Sequence, residues 1–487
     1  MIQLSVATSS SAPRAHGRFG LLATALGVAA AVISFVLTWR HSIGNDEGAT
    51  LTSALRGWGA LWEEVVHLDA VHAGYYALMH LWFDVVPANP STLRLPSAVF
   101  VGAAVVLLAF IGRRLFTPAT GLAAAAVLAV MPRVTYVGSD ARSLALALAL
   151  SLAATLVLLR AGEGRGARRW VLYAALVFLA AFVNFYTLLV VPAHLLMLGT
   201  RGARVRALAS AGSGALLASP VILLAAGQSG QLGWLETTGW HSVREVLVEQ
   251  FADTSTLAAL GLWIGAIAGL MVLIRRERRL VPAMLWWLLG PTGLLLLISL
   301  VQPLYHPRYV TASAPALALL VGLALVALPR RWMFWVGLVL IASLCIPAWA
   351  ARRTAVGLDG SRWDVVAAAV RQEREPAVAD VVVYGPMPKK THRSHRRVAL
   401  SYPDAFAGAV DLTLGAPSEQ NEYLWGADDA PLSHLDRLDG RDRVLILVAQ
   451  SERAGWAGPL EAELQRRGFA LEAQREVRGS DIVVYRR

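Results

Sequence analysis

Asp46 and Glu47 stand together in NDEGAT (45–50), directly after the first long apolar run of the chain, and Asp69 and His72 follow in the same polar stretch. A carboxylate at a membrane surface can take the proton of an attacking hydroxyl when it comes within hydrogen-bond distance. The bland alternative is that these are solvated loop acids. Farther along, Arg142 in YVGSDARSLALAL and Arg308 in YHPRYVTASAPALAL each open an apolar run, beside a tyrosine and a second polar residue, Asp140 in one case and His306 in the other. A guanidinium there is either a snorkelling anchor or a ligand for an anion at headgroup level, such as a lipid phosphate whose oxygens its planar fork can hold in pairs. Two arginines flanked alike favour a phosphate pocket. The single cysteine, Cys345, lies in an apolar run, which excludes an intrachain disulfide and argues against a thiol nucleophile. No Gly-rich phosphate loop and no Cys/His metal spacing is present, so no metal is assigned.

The elements that must position these residues follow from composition. The chain is 56% hydrophobic and 16% charged, against roughly 45–50% and about 25% in soluble domains. Apolar runs of the length needed to cross about 30 Å of hydrocarbon recur as far as residue 350. They read as spans at 19–39, 95–112, 118–135, 143–159, 170–185, 187–199, 207–226, 257–274, 280–301, 309–328 and 332–350. The first is taken as an uncleaved span. With the N-terminus cytoplasmic, Arg113 and Arg114 and the basic runs 160–169, 201–206, 275–279 and 329–331 all fall on the inner side. The net charge of +11 therefore reflects membrane topology and does not imply a nucleic-acid partner. Residues 40–94, 136–142, 227–256, 302–308 and everything after 350 face outward in this scheme. The expected architecture is a polytopic α-helical membrane protein of about eleven transmembrane helices, forming a domain over 1–350, with a C-terminal extracytoplasmic α/β domain over 351–487.

The long first external loop is structured. ATLTSALRGWGALWEEVVHL reads as one helix in the membrane interface, with Leu51, Leu55, Trp58 and Leu61 or Trp62 on one face. AGYYALMHLWF reads as a second, partly embedded helix with its aromatic residues at headgroup level. After residue 350, VADVVVYG (378–385), RVALSY (397–402), VDLTLG (410–415), RVLILVAQ (443–450) and DIVVYRR (481–487) read as strands, and GPLEAELQRRGF (458–469) as a helix burying Leu460, Leu464 and Phe469. HRSHRR (392–397) reads as a solvated turn before a strand.

NDEGAT, DAVHAGYYALMHLW, LRLPSAVF, YVGSDARSLALALAL and PRYVTASAPALALL occur in an order that resembles the GT-C integral-membrane glycosyltransferases. Nearest is the branch containing protein O-mannosyltransferases and lipid A aminoarabinose transferases. The resemblance covers most of residues 35–328 and rests on the order and spacing of the motifs together. It implies that Asp46 is the base, with Glu47 supporting; Asp69, in the same loop, is the alternative base. It also maps the acid-Ala-Arg signature onto Asp140, Ala141 and Arg142, and the Arg-Tyr pair onto Arg308 and Tyr309. Where family members commonly carry two prolines before a Tyr-Tyr pair, this chain has His72, Ala73 and Gly74 before Tyr75 and Tyr76, a looser turn that bears on acceptor choice.

The resemblance implies transfer of a sugar, mannose by default and arabinofuranose or aminoarabinose next, from a polyprenyl-phosphate carrier to an acceptor hydroxyl at the outer face of the membrane. The acceptor is a glycan, lipid or protein, and displacement at the anomeric carbon inverts it. The phosphate leaves without an acid catalyst but needs cations, a role for Arg308 and Arg142 with His306 and Tyr309 nearby. The rival reading, a transporter or lipid flippase, predicts paired halves with internal symmetry, and no such repeat is present.

Overall fold

The computed structural model describes residues 12–487 apart from 165, 234, 236, 376–379 and 419–423. Residue 165 of the basic run 160–169 and residues 378–379 of the first expected strand thus lie outside the described residues. The chain divides into two compact units: residues through Thr38 with Val71–Tyr75 and Arg94–Arg353, and Trp39–Ala70 with Tyr76–Leu93 and Thr354–Arg487.

The first unit is helical. Among the described residues, eight helices are long and apolar enough to cross a membrane: Gly17–Arg40, Pro90–Leu115, Leu144–Glu163, Arg201–Gly227, Thr256–Arg276, Arg278–Ile298, Pro307–Val326 and Arg331–Ala351. The other three expected spans are shorter helices, so the count of eleven spans is not confirmed. The run expected at 118–135 is the 13-residue helix Pro118–Val130. It ends at Met131, which precedes Pro132 and takes the extended conformation that a following proline imposes. The run at 170–185 is a 17-residue helix, Ala167–Val183. Asn184 stops it in extended conformation, and its side chain then accepts the Tyr186 N–H at 3.1 Å to start the 3-10 helix Phe185–Val190, which leads into Val191–Met197.

Small residues let these helices approach closely, since lipid offers no hydrophobic drive between them. A Cβ added at Gly269 would lie 1.8 Å from the Leu320 carbonyl oxygen, and one at Gly121 would lie 2.3 Å from that of Ala109. Polar contacts add to this packing. His194 is buried, with Nε2 2.9 Å from the Thr155 hydroxyl and Nδ1 2.9 Å from the Tyr173 hydroxyl, which ties together three helices.

Among its described residues, the second unit contains nine strands: β1 (Val381–Tyr384), β2 (Pro386–Met387), β3 (Lys390–Ser394), β4 (Val410–Asp411), β5 (Leu414–Ala416), β6 (Ala427–Asp428), β7 (Arg443–Ala449), β8 (Ala470–Val477) and β9 (Ser480–Arg486). The main sheet runs β4-β1-β7-β9-β8. β1 is parallel to both β4 and β7, whereas β9 is antiparallel to β7 and to β8. β1 and β7 are buried along their whole length, the burial on both faces that turns a strand into an unbroken apolar run. One face packs on the helix Trp363–Glu373 through Val366, Val370, Val382 and Leu445; the other packs on Gly458–Arg466 through Leu460, Leu464, Val381 and Ile446.

Four expectations for this unit are corrected. RVALSY forms the helix Arg396–Ser401 instead of a strand, because a six-residue mixed run carries no decisive period and Arg, Ala and Leu are good helix formers. VDLTLG is split between β4 and β5. HRSHRR is no solvated turn, since His395 and Arg396 are buried. ATLTSALRGWGALWEEVVHL breaks at residues 55–57 into the helices Asn45–Ala54 and Trp58–His67, with Gly57 extended at the second N-terminus. Leu51 and Leu61 turn inward, while Leu55, Trp58 and Trp62 stay 53%, 52% and 63% exposed. The second loop helix, Ala73–Phe83, forms as expected. Its Tyr75 and Tyr76 are fully buried in protein instead of exposed to lipid or water, and both hydroxyls find protein partners.

Gly269→Val is expected to lower stability in detergent by about 1–3 kcal/mol through overpacking, read as a fall in the thermal unfolding midpoint. Gly293→Ala, where an added Cβ meets nothing within 4 Å, should leave that midpoint within experimental scatter.

Candidate functional site

The acids of the second unit sit on the first turn of a helix. Asp46 and Glu47 open Asn45–Ala54, where carboxylates complement the helix dipole. Asp46 is half-buried and Glu47 buried. The helix is pinned from the far end of the chain. The Ile43 N–H donates to the Tyr402 hydroxyl at 2.7 Å, and the Asn45 N–H donates to Asp359 Oδ2 at 2.7 Å. A Cβ at Gly48 would lie 2.7 Å from Ser401 Oγ and 3.1 Å from the Trp425 ring. That close approach is why glycine follows the acid pair.

Beneath this helix lies a carboxylate that sequence reading passed over. Glu64 is fully buried; its Oε1 accepts the Ser53 hydroxyl at 2.7 Å, and its Oε2 lies 3.1 Å from Arg56 Nε. Arg56 in turn donates to the Leu424 carbonyl at 3.1 Å. Burial pushes the Glu64 carboxyl up to about 7, against the opposing pull of Arg56 and Ser53. Asp69, whose charge also raises Glu64, has φ 58° and accepts the Tyr76 hydroxyl at 3.0 Å. Asp69 and Tyr76 are therefore brought together. A WEE pair on an amphipathic helix gave no sign that its second acid turns inward.

The arginines lie in the first unit. Pro307–Ser313 is a 3-10 helix whose first turn is stabilised by His306, with Nδ1 3.3 Å from the Arg308 N–H. The Arg308 carbonyl accepts the Thr311 hydroxyl at 2.6 Å. The Arg308 guanidinium is 5.8 Å from the Tyr309 ring, and Tyr309 stacks on Tyr186 with centroids 5.0 Å apart and planes at 10°. Asp140 is buried and Arg142 half-buried in the turn before Leu144–Glu163. His72 is half-buried at the end of a single 3-10 turn, and the Tyr75 hydroxyl lies 3.1 Å from Ser97 Oγ.

Tyr136 organises this set. Asp140, Arg308, Arg133 and Arg352 all lie within its electrostatic reach, and the Arg133 and Arg352 guanidiniums are 5.1 and 5.2 Å from its ring. Asp253, at φ 53°, binds Arg352 through two hydrogen bonds of 2.9 and 2.7 Å and lies 3.6 Å from Arg133. Three guanidiniums thus share a neighbourhood with the carboxylates of Asp140 and Asp253, and the Glu249 charge also acts on Arg352. Arg133, Tyr136, Asp253 and Arg352 were not singled out from sequence, because they come from three separate polar stretches and only folding gathers them. His306 also lines a cavity of about 190 Å³ with Thr238, His241, Ser242, Glu245 and Tyr305. Among the described residues no group of three or more His, Cys, Asp or Glu side chains is placed to hold a metal ion.

Residues 74–227 match the family described as dolichyl-phosphate-mannose-protein mannosyltransferase. No curated protein matches the chain. Among solved structures, the chain is similar to ArnT from Cupriavidus metallidurans in the apo state, with 14% identity, a TM-score of 0.60, and coverage of 97% of this chain and 98% of that one. The same protein bound to undecaprenyl phosphate aligns with 13% identity and a TM-score of 0.59 over 94% and 97% of the two chains. The Archaeoglobus fulgidus oligosaccharyltransferase in complex with Zn and sulfate aligns at 12% identity and a TM-score of 0.50, covering 94% of this chain and 72% of that one. These likenesses bear out the GT-C resemblance at the level of fold: a multi-pass membrane protein ending in a sheet-containing region.

The Glu64 carboxyl carries a consequence for pH. Its folded pKa is raised from 4.5 to about 7, so its contribution is complete below the unfolded value and is lost as pH climbs through 7. Thermal unfolding at pH 5 and pH 8 should show wild-type protein losing stability at the higher pH relative to Glu64→Gln, which has no such proton to release. Equal pH dependence in the two proteins would rule out this role.

Proposed function

We propose that this chain is an inverting glycosyltransferase that moves a sugar, with mannose favoured, from a polyprenyl-phosphate carrier to an acceptor hydroxyl. The observation that carries the reading is the guanidinium neighbourhood around Tyr136, with Arg308 at the head of an apolar helix. It occurs in a fold shared along almost its full length with a protein whose structure holds undecaprenyl phosphate. The match of residues 74–227 to a dolichyl-phosphate-mannose family supports the same donor class.

In this reading Arg308 and Arg142 hold the donor phosphate, and Arg133 joins them. As the glycosidic bond breaks, charge grows on the phosphate, and fixed guanidiniums stabilise it without needing a proton. Asp46 takes the proton of the attacking hydroxyl, Glu47 supports it, and Asp69 orients the Tyr76 hydroxyl in the same loop. The anomeric carbon passes through an oxocarbenium-like state and is attacked from the side opposite the phosphate. The basic runs between spans support a cytoplasmic N-terminus, which puts the acids of the first loop and residues 351–487 outside the membrane. There the C-terminal domain would act on acceptor use more than on the donor.

Purified protein given a panel of polyprenyl-phosphate sugars should release free polyprenyl phosphate. Asp46→Asn should insert and fold normally while turning over about 10²–10⁴-fold more slowly, the usual worth of a general base. Normal turnover in Asp46→Asn together with its loss in Asp69→Asn would move the base to Asp69.

Arg308→Ala is expected to weaken both donor affinity and turnover, because the leaving phosphate carries more charge in the transition state than in the ground state. Arg308→Lys should be intermediate, since an ammonium offers a point charge in place of a two-pronged fork. Measuring donor affinity and turnover separately decides this; unchanged values in Arg308→Ala would reduce the residue to an interfacial anchor.

A further inference from the structure

KKTHRSHRR (389–397) is the most basic stretch of the second unit, and folding sorts its charges into two groups. His395 and Arg396 point inward. His395 Nδ1 lies 2.8 Å from the Gly385 carbonyl and Nε2 lies 2.8 Å from Ser480 Oγ; Arg396 binds Asp411 at 2.6 Å and also pairs with Asp428. These two residues are structural.

Arg397 turns the other way. It donates to Asn45 Oδ1, its guanidinium is 4.7 Å from the Trp425 ring, and its Nε is buried with no hydrogen-bond partner among the described residues. Burial and the neighbouring Arg393 charge press its pKa down to about 9. His392, in the middle of β3, is pressed down by slight desolvation and then by Arg393, Arg397 and Lys390. Asp428, the described carboxylate that acts on Arg397, is already engaged by Arg396. Like charges repel one another, and a donor left unmatched in a buried position costs free energy. A bound anion would relieve both.

We propose that Arg397, Arg393, Lys390 and His392, with Trp425 as a floor, bind a phosphate or carboxylate group borne by the acceptor. The site would hold that group beside Asn45, at the head of the helix that carries Asp46. This inference rests on the transferase reading, and it adds to it the chemical class of the acceptor: a hydroxyl compound with an acidic group near the hydroxyl. Trp425 supplies an apolar face that keeps the guanidinium flat and partly desolvated, the setting in which a fork binds an oxyanion most strongly.

The test measures binding without donor, on the full chain in phosphatidylcholine nanodiscs. Inorganic pyrophosphate is titrated calorimetrically at low and high salt, and retention of phosphatidylglycerol over phosphatidylcholine is read by native mass spectrometry. Wild-type protein should bind one of these probes, more weakly at high salt. Arg397→Gln should weaken that binding about tenfold or more, and Arg397→Lys by less. Because Arg397 is partly buried, the hairpin double variant Lys390→Gln/Arg393→Gln serves as a second probe and should also weaken binding. Pyrophosphate binding assigns the anion to a soluble or glycan-borne source; selective retention of phosphatidylglycerol alone assigns it to a lipid headgroup. Binding of neither probe, or equal affinity in wild type and both variants, overturns the site. Failure of wild-type protein to release polyprenyl phosphate from any donor overturns the transferase reading separately.

Discussion

Charge cannot be left unpaired in hydrocarbon, and most of the architecture follows from that single constraint. It confines the arginines of the first unit to the ends of its apolar helices and to the turns between them. Once confined there, they face water, one another, a carboxylate or backbone carbonyls. Arg133, Arg308 and Arg352 come within reach of one tyrosine, Tyr136, which Asp140 also reaches, and Asp253 acts on Arg133 and Arg352. The price of assembling three like charges is met in part by Asp253, held at positive φ so that its carboxylate meets Arg352 through both oxygens. In the proposed reading, this cluster at the ends of apolar helices is where the phosphate of a lipid carrier would be held.

The second unit solves a different problem. A short helix carrying two acids, Asn45–Ala54, has too few turns to be stable by itself. It is held by tertiary contacts: Tyr402 on the Ile43 N–H, Asp359 on the Asn45 N–H, Ser401 and Trp425 against Gly48, and Arg397 on the Asn45 side chain. The Arg56–Glu64 pair closes the helix onto its successor and onto Leu424. A buried pair of this kind is weak evidence of net stability. Its use here is to fix the angle between two helices whose outward face is apolar. The residues proposed for acceptor recognition thereby touch the element proposed for proton removal.

Much of this was legible beforehand, and the reasons differ by element. Long apolar runs such as 95–112, 257–274 and 332–350 could be nothing but membrane helices, and the fully buried strands β1 and β7 were unmistakable as short apolar runs rich in valine and isoleucine. Short or mixed segments were not. The 397–402 run became a helix because its helix-forming residues were free to choose once no sheet edge claimed them. β8 went unread because, as an edge strand with a largely exposed and charged surface, it shows no alternation.

The sequence by itself determined the membrane class, the helical spans of ordinary length, the central strands, and the positions of Asp46, Asp140, Arg142 and Arg308 at the borders of apolar runs. It could do so because hydrocarbon thickness and side-chain period act locally along the chain. Only the tertiary structure decided that Glu64 and Arg56 turn inward as a pair, that Arg133 and Arg352 join Arg308 around Tyr136, and that Arg397 reaches Asn45 across 352 residues of chain. Those pairings depend on which distant segments pack together, and no periodicity within a single segment encodes that choice.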